Sequence, residues 1–396
     1  MKQSRLTKSV SLLLTVLIIT AVLSVAPFTV SAAISGATGD CEWSYDAESK
    51  TLTISGSGAT ANYDFENRAP WSELDIRHVV VKEGVEWLRS GAFIDADAES
   101  VALPGSLHTI GMIAFDGCSK LKTINLPDGL KTIGGGAFQG CAALETADLP
   151  EGLKQIGPFA FRGCTSLEYI TVPDTVDDMG VAILEGTKWF DHQPDGMIYT
   201  GKVFYGYKGD MPANASLAIR EGTVSVAAGA IAGSDTQQEN LVAVTFPDSV
   251  TCIGGNAFFG CDNLKSVTVP ATVTQIAEGA FGYYYDEAAD AVKPYHDFTI
   301  CGEKGSAAEK YANDNGFAFQ EVPKTMIGDV NGDGKVNGAD AGLLSRYTSG
   351  WDGYEVKIKD MKAADINGDG KVNGADAGLL SRYTSGWDSV KKYFDA

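Results

Sequence analysis

A unit of 23 residues recurs through the middle of this chain and limits its fold more than any other feature. Leu103, Leu126, Leu149 and Val172 stand 23 residues apart, each followed by proline, and a phenylalanine and a cysteine keep the same step. The phase returns after an interruption, at Phe246-Pro247. One such unit cannot bury its own apolar side chains, whereas stacked units share a continuous core, with neighbouring strands about 4.8 Å apart. The repeat therefore predicts a solenoid of short stacked β-strands.

The unit from Leu121 to Glu145 reads LKTINLPDGLKTIGGGAFQGCAALE. Ile124 and Leu126 are expected to point inward from a short strand, which Pro127 ends because proline has no amide hydrogen to donate. The other sides of the coil are expected to turn these residues inward: Leu130, Ile133, Ala137, Phe138 and Leu144. The unit resembles the BspA-like family of bacterial leucine-rich repeats, found on secreted and surface proteins, over about residues 37–319.

The resemblance implies an N-terminal β-hairpin cap at 33–78 and a solenoid at 79–322, with a hairpin insert near 187–216. Atypical ends are expected, because a terminal coil exposes its core unless something covers it. Several aromatic residues fall outside the repeat pattern and are candidate contacts with a sugar or a protein, and packing within the cap or insert is the alternative for each. They are Trp71, Trp87, Trp189, Tyr205, Tyr207 and residues 283–285.

Three cysteines, Cys118, Cys141 and Cys164, occupy one position on successive units. Their side chains are expected to form a buried ladder of reduced thiols, since free cysteine packs as a small apolar residue. Disulfide formation between neighbouring coils stays open as the alternative, because the predicted secreted location is oxidising. The chain has seven cysteines, so they cannot all pair within one molecule.

The C-terminal part of the chain contains the same loop sequence twice. Residues 332–352, GDGKVNGADAGLLSRYTSGWD, are repeated without change at 368–388. Oxygen-bearing side chains fall at loop positions 1, 3, 5, 9 and 12, and position 7 offers its main-chain carbonyl. The predicted ligands are Asp329, Asn331, Asp333, Lys335, Asn337 and Asp340 in the first loop, and Asp365, Asn367, Asp369, Lys371, Asn373 and Asp376 in the second. Oxygen ligands at this spacing, with glycine at position 6, predict two Ca²⁺ ions.

Each loop precedes one amphipathic helical segment, 339–347 in the first copy, and follows a stretch too short for an entering helix. These half EF-hands resemble a type I dockerin, over about residues 323–396. The resemblance implies a small all-α domain that docks onto a cohesin domain of a cellulosomal scaffoldin. It places the partner contacts at Gly338, Ala339, Leu343 and Arg346 and at Gly374, Ala375, Leu379 and Arg382. The expected fold is therefore mixed: a capped leucine-rich-repeat solenoid followed by an all-α dockerin.

Residues 1–32 have the features of a signal peptide. Lys2, Arg5 and Lys8 precede an apolar run, and small residues at Val30-Ser31-Ala32 predict cleavage after Ala32. An uncleaved membrane anchor is the alternative. With cleavage, the protein is expected to be secreted, without stable membrane insertion, and to reach the cell surface or a cellulosome through a scaffoldin.

The net charge and the lack of catalytic motifs argue against two classes of function. The formal net charge of −20 argues against nucleic-acid binding. None of the four histidines stands in an HExxH-type spacing or beside a GxSxG turn, so we expect no enzyme. The sequence predicts a secreted binding protein that acts in polysaccharide degradation, whose solenoid recognises an unknown protein or polysaccharide. A glycoside hydrolase and a cell-surface adhesin are the alternatives.

Overall fold

The computed structural model describes residues 34–176, 178–231 and 235–394. The predicted signal peptide, 1–32, lies outside the described residues. The solenoid predicted from the repeat is confirmed: two faces carry ladders of short strands, and the third face consists of stacked turns. None of the helices in the described ranges has the length and apolar character that a bilayer crossing requires.

The first ladder starts with an antiparallel cap and continues with parallel strands in successive coils. Its strands are Ile34–Thr38, Cys41–Asp46, Thr51–Gly56, His78–Val81, Ser100–Ala102, Thr123–Asn125, Thr146–Asp148, Tyr169–Thr171, Ala215–Ala218, Leu241–Thr245, Ser266–Thr268, Thr299–Gly302 and Ala318–Glu321. Consecutive coils pair in register, with Ala147 between Ile124 and Ile170.

The second ladder lies on the next face of each coil. Its strands are Gly58–Ala59, Val85–Leu88, Thr109–Ile110, Thr132–Ile133, Gln155–Ile156, Asp178–Met179, Val203–Lys208, Ser225–Val226, Cys252–Ile253 and Gln275–Ile276. The strand Gly196–Thr200 pairs antiparallel with Val203–Lys208 and forms a β-hairpin with it. The second strand of that hairpin also joins the ladder, in parallel with Ser225–Val226. A separate hairpin, Tyr283–Asp286 and Ala291–Pro294, projects from the last regular coil.

The helices lie at the insert, at the end of the solenoid and in the C-terminal domain. They are α1 (Lys188–Asp191), α2 (Asp235–Asn240), α3 (Ala307–Asn315), α4 (Gly338–Thr348), α5 (Met361–Ala364) and α6 (Gly374–Thr384), with 3₁₀ turns at Glu355–Lys357 and Asp388–Tyr393. Helix α3 covers the last coil: the Tyr311 hydroxyl donates to the Phe281 carbonyl at 2.9 Å and lies 3.1 Å from the Phe281 amide nitrogen, which donates to it.

Phenylalanine rings form the centre of the first core. The rings of Phe93, Phe115, Phe138 and Phe161 stack with centroids 5.0, 5.3 and 5.2 Å apart. Trp71 of the cap is 1% exposed and lies 6.0 Å from Phe93, so it covers the open end of this stack. The cap therefore protects the core that the first coil would otherwise expose to water.

Leu126 differs from the expectation. Ile124 is buried, but Leu126 is only partly buried, as are Leu103 and Leu149 at the same position. These leucines come directly after the strands, where the chain turns toward the next face, so they cover the corner of the core.

The cysteine ladder is buried and reduced. All seven cysteines lie in the described ranges and are free thiols. The thiols of Cys118, Cys141 and Cys164 donate to the carbonyl oxygens of Phe93, Phe115 and Phe138 at 3.1, 3.2 and 3.0 Å. Burial raises the pKa of the Cys118 thiol well above its usual range and that of Cys261 to about 12.

The stack predicts a position-dependent loss of stability. Phe138→Ala should lower the free energy of unfolding by about 3–5 kcal/mol, because it removes a fully buried ring between two others. Lys131→Ala is the matched control in the same coil; its exposed side chain should contribute within about 0.5 kcal/mol. Denaturant unfolding of the two variants measures the difference, and equal losses would contradict the inward and outward assignment.

The thiols predict selective alkylation. In the native protein an alkylating reagent should modify half-buried Cys301 first, because the thiolate is the reactive form and burial disfavours it at Cys118 and Cys261. The ladder thiols should react only after unfolding. Peptide mass spectrometry measures the order, and a Cys118–Cys141 disulfide found under non-reducing conditions would contradict the reduced ladder.

Candidate metal centre and docking surface

Helices α4 and α6 have the same sequence and pack against each other. Leu344 and Leu380 are fully buried between them, together with Val330 and Ile366 of the preceding loops. The helices thus share one small apolar core, and each loop is held at the start of its helix. Both helices extend one residue further at each end than the predicted 339–347 segment and its second copy.

Side-chain oxygens hold the backbone of the first loop in a tight wrap. The Asp329 carboxylate accepts from the amides of Asp333 and Gly334 at 3.0 and 2.7 Å. Asn331 accepts from Asp333, and Asp333 accepts from Lys335. Gly334 has a φ of 78°, in the left-handed region that favours glycine.

The second loop repeats these contacts. Asp365 accepts from the amides of Asp369 and Gly370 at 3.2 and 2.8 Å, and Gly370 also has a φ of 78°. The identical sequences therefore produce nearly identical loops.

The aspartate at position 12 is buried in both loops. Asp340 is 0% exposed, and its carboxylate accepts from the amides of Asn331 and Asn337 at 3.1 and 3.0 Å. Asn337 in turn accepts from Ala339, which completes a reciprocal cap at the start of α4. Asp376 and Asn373 make the same cap on α6. The short aspartate side chain thus ties the helix start to both ends of its loop.

The donor set fits a hard cation. Each loop offers three carboxylates, two asparagine amides and a main-chain carbonyl, and oxygen ligands of this kind are those that Ca²⁺ prefers. Within the described residues, no group of three or more His, Cys, Asp and Glu side chains could hold a metal ion. The expected ligand set also includes the asparagine and main-chain oxygens.

The partner residues expected from the resemblance fall into two groups. Gly338, Ala339 and Arg346 are exposed on α4, as are Gly374, Ala375 and Arg382 on α6. Leu343, by contrast, is 9% exposed and belongs to the core, while Leu379 is half-buried. Among the expected partner residues, the most accessible on each helix are therefore the Gly-Ala pair of its first turn and its arginine.

Two exposed tryptophans lie beside these arginines, and the sequence interpretation did not include them. Trp351 and Trp387 are 59% and 57% exposed, and the guanidinium carbons of Arg346 and Arg382 lie 5.9 and 5.8 Å from their ring centres. The signal was present in the sequence: both tryptophans follow the Ser-Gly pair that ends each helix. Each copy thus presents the same aromatic and cationic pair.

The surroundings of the two copies differ. In the first copy, the rings of Tyr354 and Trp351 meet edge-on with their centres 6.1 Å apart. The guanidinium carbon of Arg346 also lies 5.7 Å from the centre of the Tyr354 ring. In the second copy, Tyr383 stacks on Phe394 at 3.8 Å. The flanking segments therefore make the duplicated surface only approximately symmetric.

The aromatic residues of the solenoid that were candidate ligand contacts differ in exposure. Trp71 and Tyr205 are buried, at 1% and 8% exposure, and Trp189 is partly buried against the core. Trp87 and Tyr285 are 47% and 50% exposed. Packing therefore accounts for Trp71 and Tyr205, while Trp87 and Tyr285 remain accessible.

Comparison with known families identifies both parts of the chain. The BspA type leucine-rich repeat region matches in six copies, at residues 86–191 and 235–287. The dockerin type I domain matches residues 327–384. The chain therefore contains a BspA-type leucine-rich repeat and a type I dockerin, and both predicted resemblances are confirmed. Type I dockerins bind calcium and pair with cohesin domains.

Solved structures with similarity to this chain are bacterial leucine-rich-repeat proteins. One from Eubacterium ventriosum is 20% identical, covering 62% of this chain and 68% of its own, with a TM-score of 0.33. The repeat protein of T. pallidum is 24% identical, covering 58% and 91%, with a TM-score of 0.33. A leucine-rich cell surface protein of Faecalibacterium prausnitzii is 19% identical, covering 74% and 95%, with a TM-score of 0.29. No curated protein matches the chain.

The loop geometry predicts that order in the C-terminal domain depends on calcium. Six aspartates repel one another without a cation, and helices of 11 residues are below the length of about 12–15 at which isolated helices become marginally stable. With excess chelator, α4 and α6 should lose hydrogen-exchange protection while the solenoid ladders keep theirs. Equal protection of α4 with and without chelator would contradict this.

Two variants of the first loop test whether side chains at different loop positions contribute differently to calcium-dependent order. Asp340→Ala should weaken calcium-dependent protection of α4, because it removes both a predicted ligand and the helix cap. Lys335→Ala should leave it unchanged, because position 7 contributes only its main-chain carbonyl.

Proposed function

We propose that this protein is a secreted, non-catalytic accessory protein, recruited by calcium-dependent dockerin–cohesin docking to a cellulosome-type complex that degrades polysaccharides. The observation that carries the proposal is the duplicated loop and helix, in which two helices of identical sequence pack on a shared core. The solenoid would supply a second binding surface, for a protein or a carbohydrate, since repeat solenoids act through their extended faces.

Calcium has a specific place in this proposal. One ion would occupy each loop, held by the side-chain oxygens of positions 1, 3, 5, 9 and 12 and by the carbonyl of Lys335 or Lys371. The amide hydrogen bonds made by Asp329 and Asp365 support this assignment, because they belong to the tight wrap that places the loop oxygens around one point. The ion would then stabilise the helix starts that face the cohesin.

The docking surface would comprise the first turn and the arginine of either helix. Gly338 and Ala339 in α4, and Gly374 and Ala375 in α6, leave room for a close approach of the partner backbone. A bulkier or charged side chain there would hinder that approach, so the small pair is expected to select a particular group of cohesins.

The division of the chain follows from the same proposal. Residues 1–32 would be removed as a signal peptide, 33–78 would cap the solenoid at 79–322, and 323–396 would form the dockerin. The non-catalytic role is supported by the kinds of domain that match, a repeat and a docking module. A screen of the full chain against plant polysaccharides tests that role, and hydrolysis of any of them would overturn it.

The duplication predicts two docked orientations of nearly equal free energy. Ala339→Asp should disable one of them and weaken cohesin binding by about a factor of two, close to 0.4 kcal/mol from RT ln 2. The double variant with Ala375→Asp should abolish binding, measured by titration calorimetry in calcium. If Ala339→Asp alone abolishes binding and Ala375→Asp has no effect, the symmetric arrangement is wrong.

A further inference from the structure

The second ladder carries a groove whose floor has no side chains. Gly111, Gly134 and Gly157 stand at one position on successive coils, and a Cβ atom at each would lie 2.6, 2.5 and 2.4 Å from main-chain atoms of the preceding coil. A Cβ atom is essentially never found that close to a non-bonded main-chain atom, so close stacking of the coils excludes side chains from this column. The groove is therefore a consequence of the repeat.

Side chains with a distinct chemistry border this floor. Trp87, Thr109, Thr132 and Gln155 follow one another along one side, and exposed Met112 and Pro158 lie on the other. The groove has a volume of about 420 Å³. Four strands about 4.8 Å apart give it a length of roughly 15 Å along the solenoid axis.

The described part of the groove lining contains a single charged residue and no acidic one, although the protein is strongly acidic. The chain has 51 acidic and 31 basic residues, yet Arg89 is the only charged residue among the described residues that line the groove. The Arg89 guanidinium carbon lies 5.6 Å from the centre of the Trp87 ring. The side-chain amide of Gln155, a lining residue, donates to the carboxylate of Asp178 at 2.7 Å, and Asp178 itself is not part of the lining. By contrast, the depression beside the cap is lined by two arginines and four acidic residues, including Arg77 and Asp97.

Trp87 is not required by the core of its coil. In the strand Val85–Leu88, Val85 and Leu88 are buried, while Trp87 points outward and is 47% exposed. The next coils place Thr109, Thr132 and Gln155 at the same position. Met112, on the opposite side, is 59% exposed. Two large apolar side chains thus face solvent across a bare floor.

A polypeptide strand would find no backbone edge in this groove. The strands pair coil to coil, and the amides of Gly111, Gly134 and Gly157 donate to carbonyls of the preceding coil at 2.6, 2.7 and 2.8 Å. Strand addition needs unpaired main-chain groups, which this floor does not offer. A charged polymer would likewise find little to pair with.

We infer that this groove binds a linear, uncharged polysaccharide. A sugar ring has a C–H face, whose partial positive charge suits the negative face of an indole, and a rim of hydroxyl groups. Trp87 and Met112 would contact the C–H faces, while Thr109, Thr132 and Gln155 would exchange hydrogen bonds with hydroxyls at the regular interval of the coils. This assignment rests on the proposed role of the solenoid as a binding surface and names its ligand class.

The test uses the full chain in calcium and measures retardation in gels that contain hydroxyethyl cellulose, xylan or galactomannan, with polygalacturonate as the acidic comparison. We expect at least one neutral polymer to retard the protein and polygalacturonate to have little effect. Trp87→Ala should weaken that binding by about fivefold or more, the loss typical of truncating an aromatic anchor. Trp87→Phe should restore most of it.

Tyr169→Ala is the matched control, because Tyr169 is an aromatic residue that is 66% exposed on the first ladder, away from the groove. It should bind as the unmodified protein does. Loss of binding in Tyr169→Ala with no change in Trp87→Ala would overturn the groove assignment, as would equal binding of polygalacturonate. Retention on immobilised gelatin that Trp87→Ala abolishes, without any binding of neutral polymers, would instead indicate a polypeptide ligand and overturn the proposal.

Cohesin binding by the same variants separates this inference from the docking function. If no neutral polymer binds while cohesin binding is normal, the groove assignment fails and docking stands. If neutral polymers bind through Trp87 but no cohesin does, the groove stands and docking fails.

Discussion

Main-chain hydrogen bonds between successive coils are the constraint on which the solenoid depends. On the third face, where there are no strands, the amides of Phe115, Phe138 and Phe161 donate to Ala137, Ala160 and Ile183 at 2.8, 2.8 and 3.0 Å. These bonds set the distance between coils, and that distance brings the phenylalanine rings into stacked contact. The same distance excludes side chains from the glycine column. The stacked core, the cysteine ladder and the groove thus all depend on the same distance between successive coils.

The C-terminal domain is organised differently, because buried carboxylates as well as apolar side chains lie at its centre. Its apolar core is small, and the buried carboxylates of Asp340 and Asp376 accept hydrogen bonds from loop amides instead of pairing with a basic side chain. A buried carboxylate without a cation is costly, even when amides donate to it. A hard cation in each loop would offset that cost. The solenoid is instead held by main-chain ladders and an apolar core, so the two parts of the chain are expected to respond differently to ionic conditions.

The sequence alone was sufficient for the repeat, the inward phenylalanines, the cysteine ladder and the duplicated loops, because each depends on regular spacing. It was less informative where a contact depends on the neighbouring coil. Leu126 was expected inside but covers a corner, and the second strand of the insert joins the ladder, which no residue pattern indicated. The exposure of Trp351 and Trp387 also could not be read from the repeat, because it depends on how the segments after each helix fold back. Buried Tyr205 and exposed Trp87 look alike in sequence, and only the packing distinguishes them.

The interruption in the repeat has a mechanical consequence. In the regular coils, amides of the third face donate to carbonyls of the next coil. At the interruption, the Leu184 amide donates instead to the side-chain hydroxyl of Tyr205, at 3.0 Å. The buried residues divide into two clusters near this junction, with Tyr205 in one and Phe204 in the other. In a linear array, cooperativity passes only through contacts between nearest neighbours, so a junction at which the apolar core divides couples its two sides more weakly. Under a pulling force, the two halves should yield as separate units, and extension of one would leave the fold of the other intact.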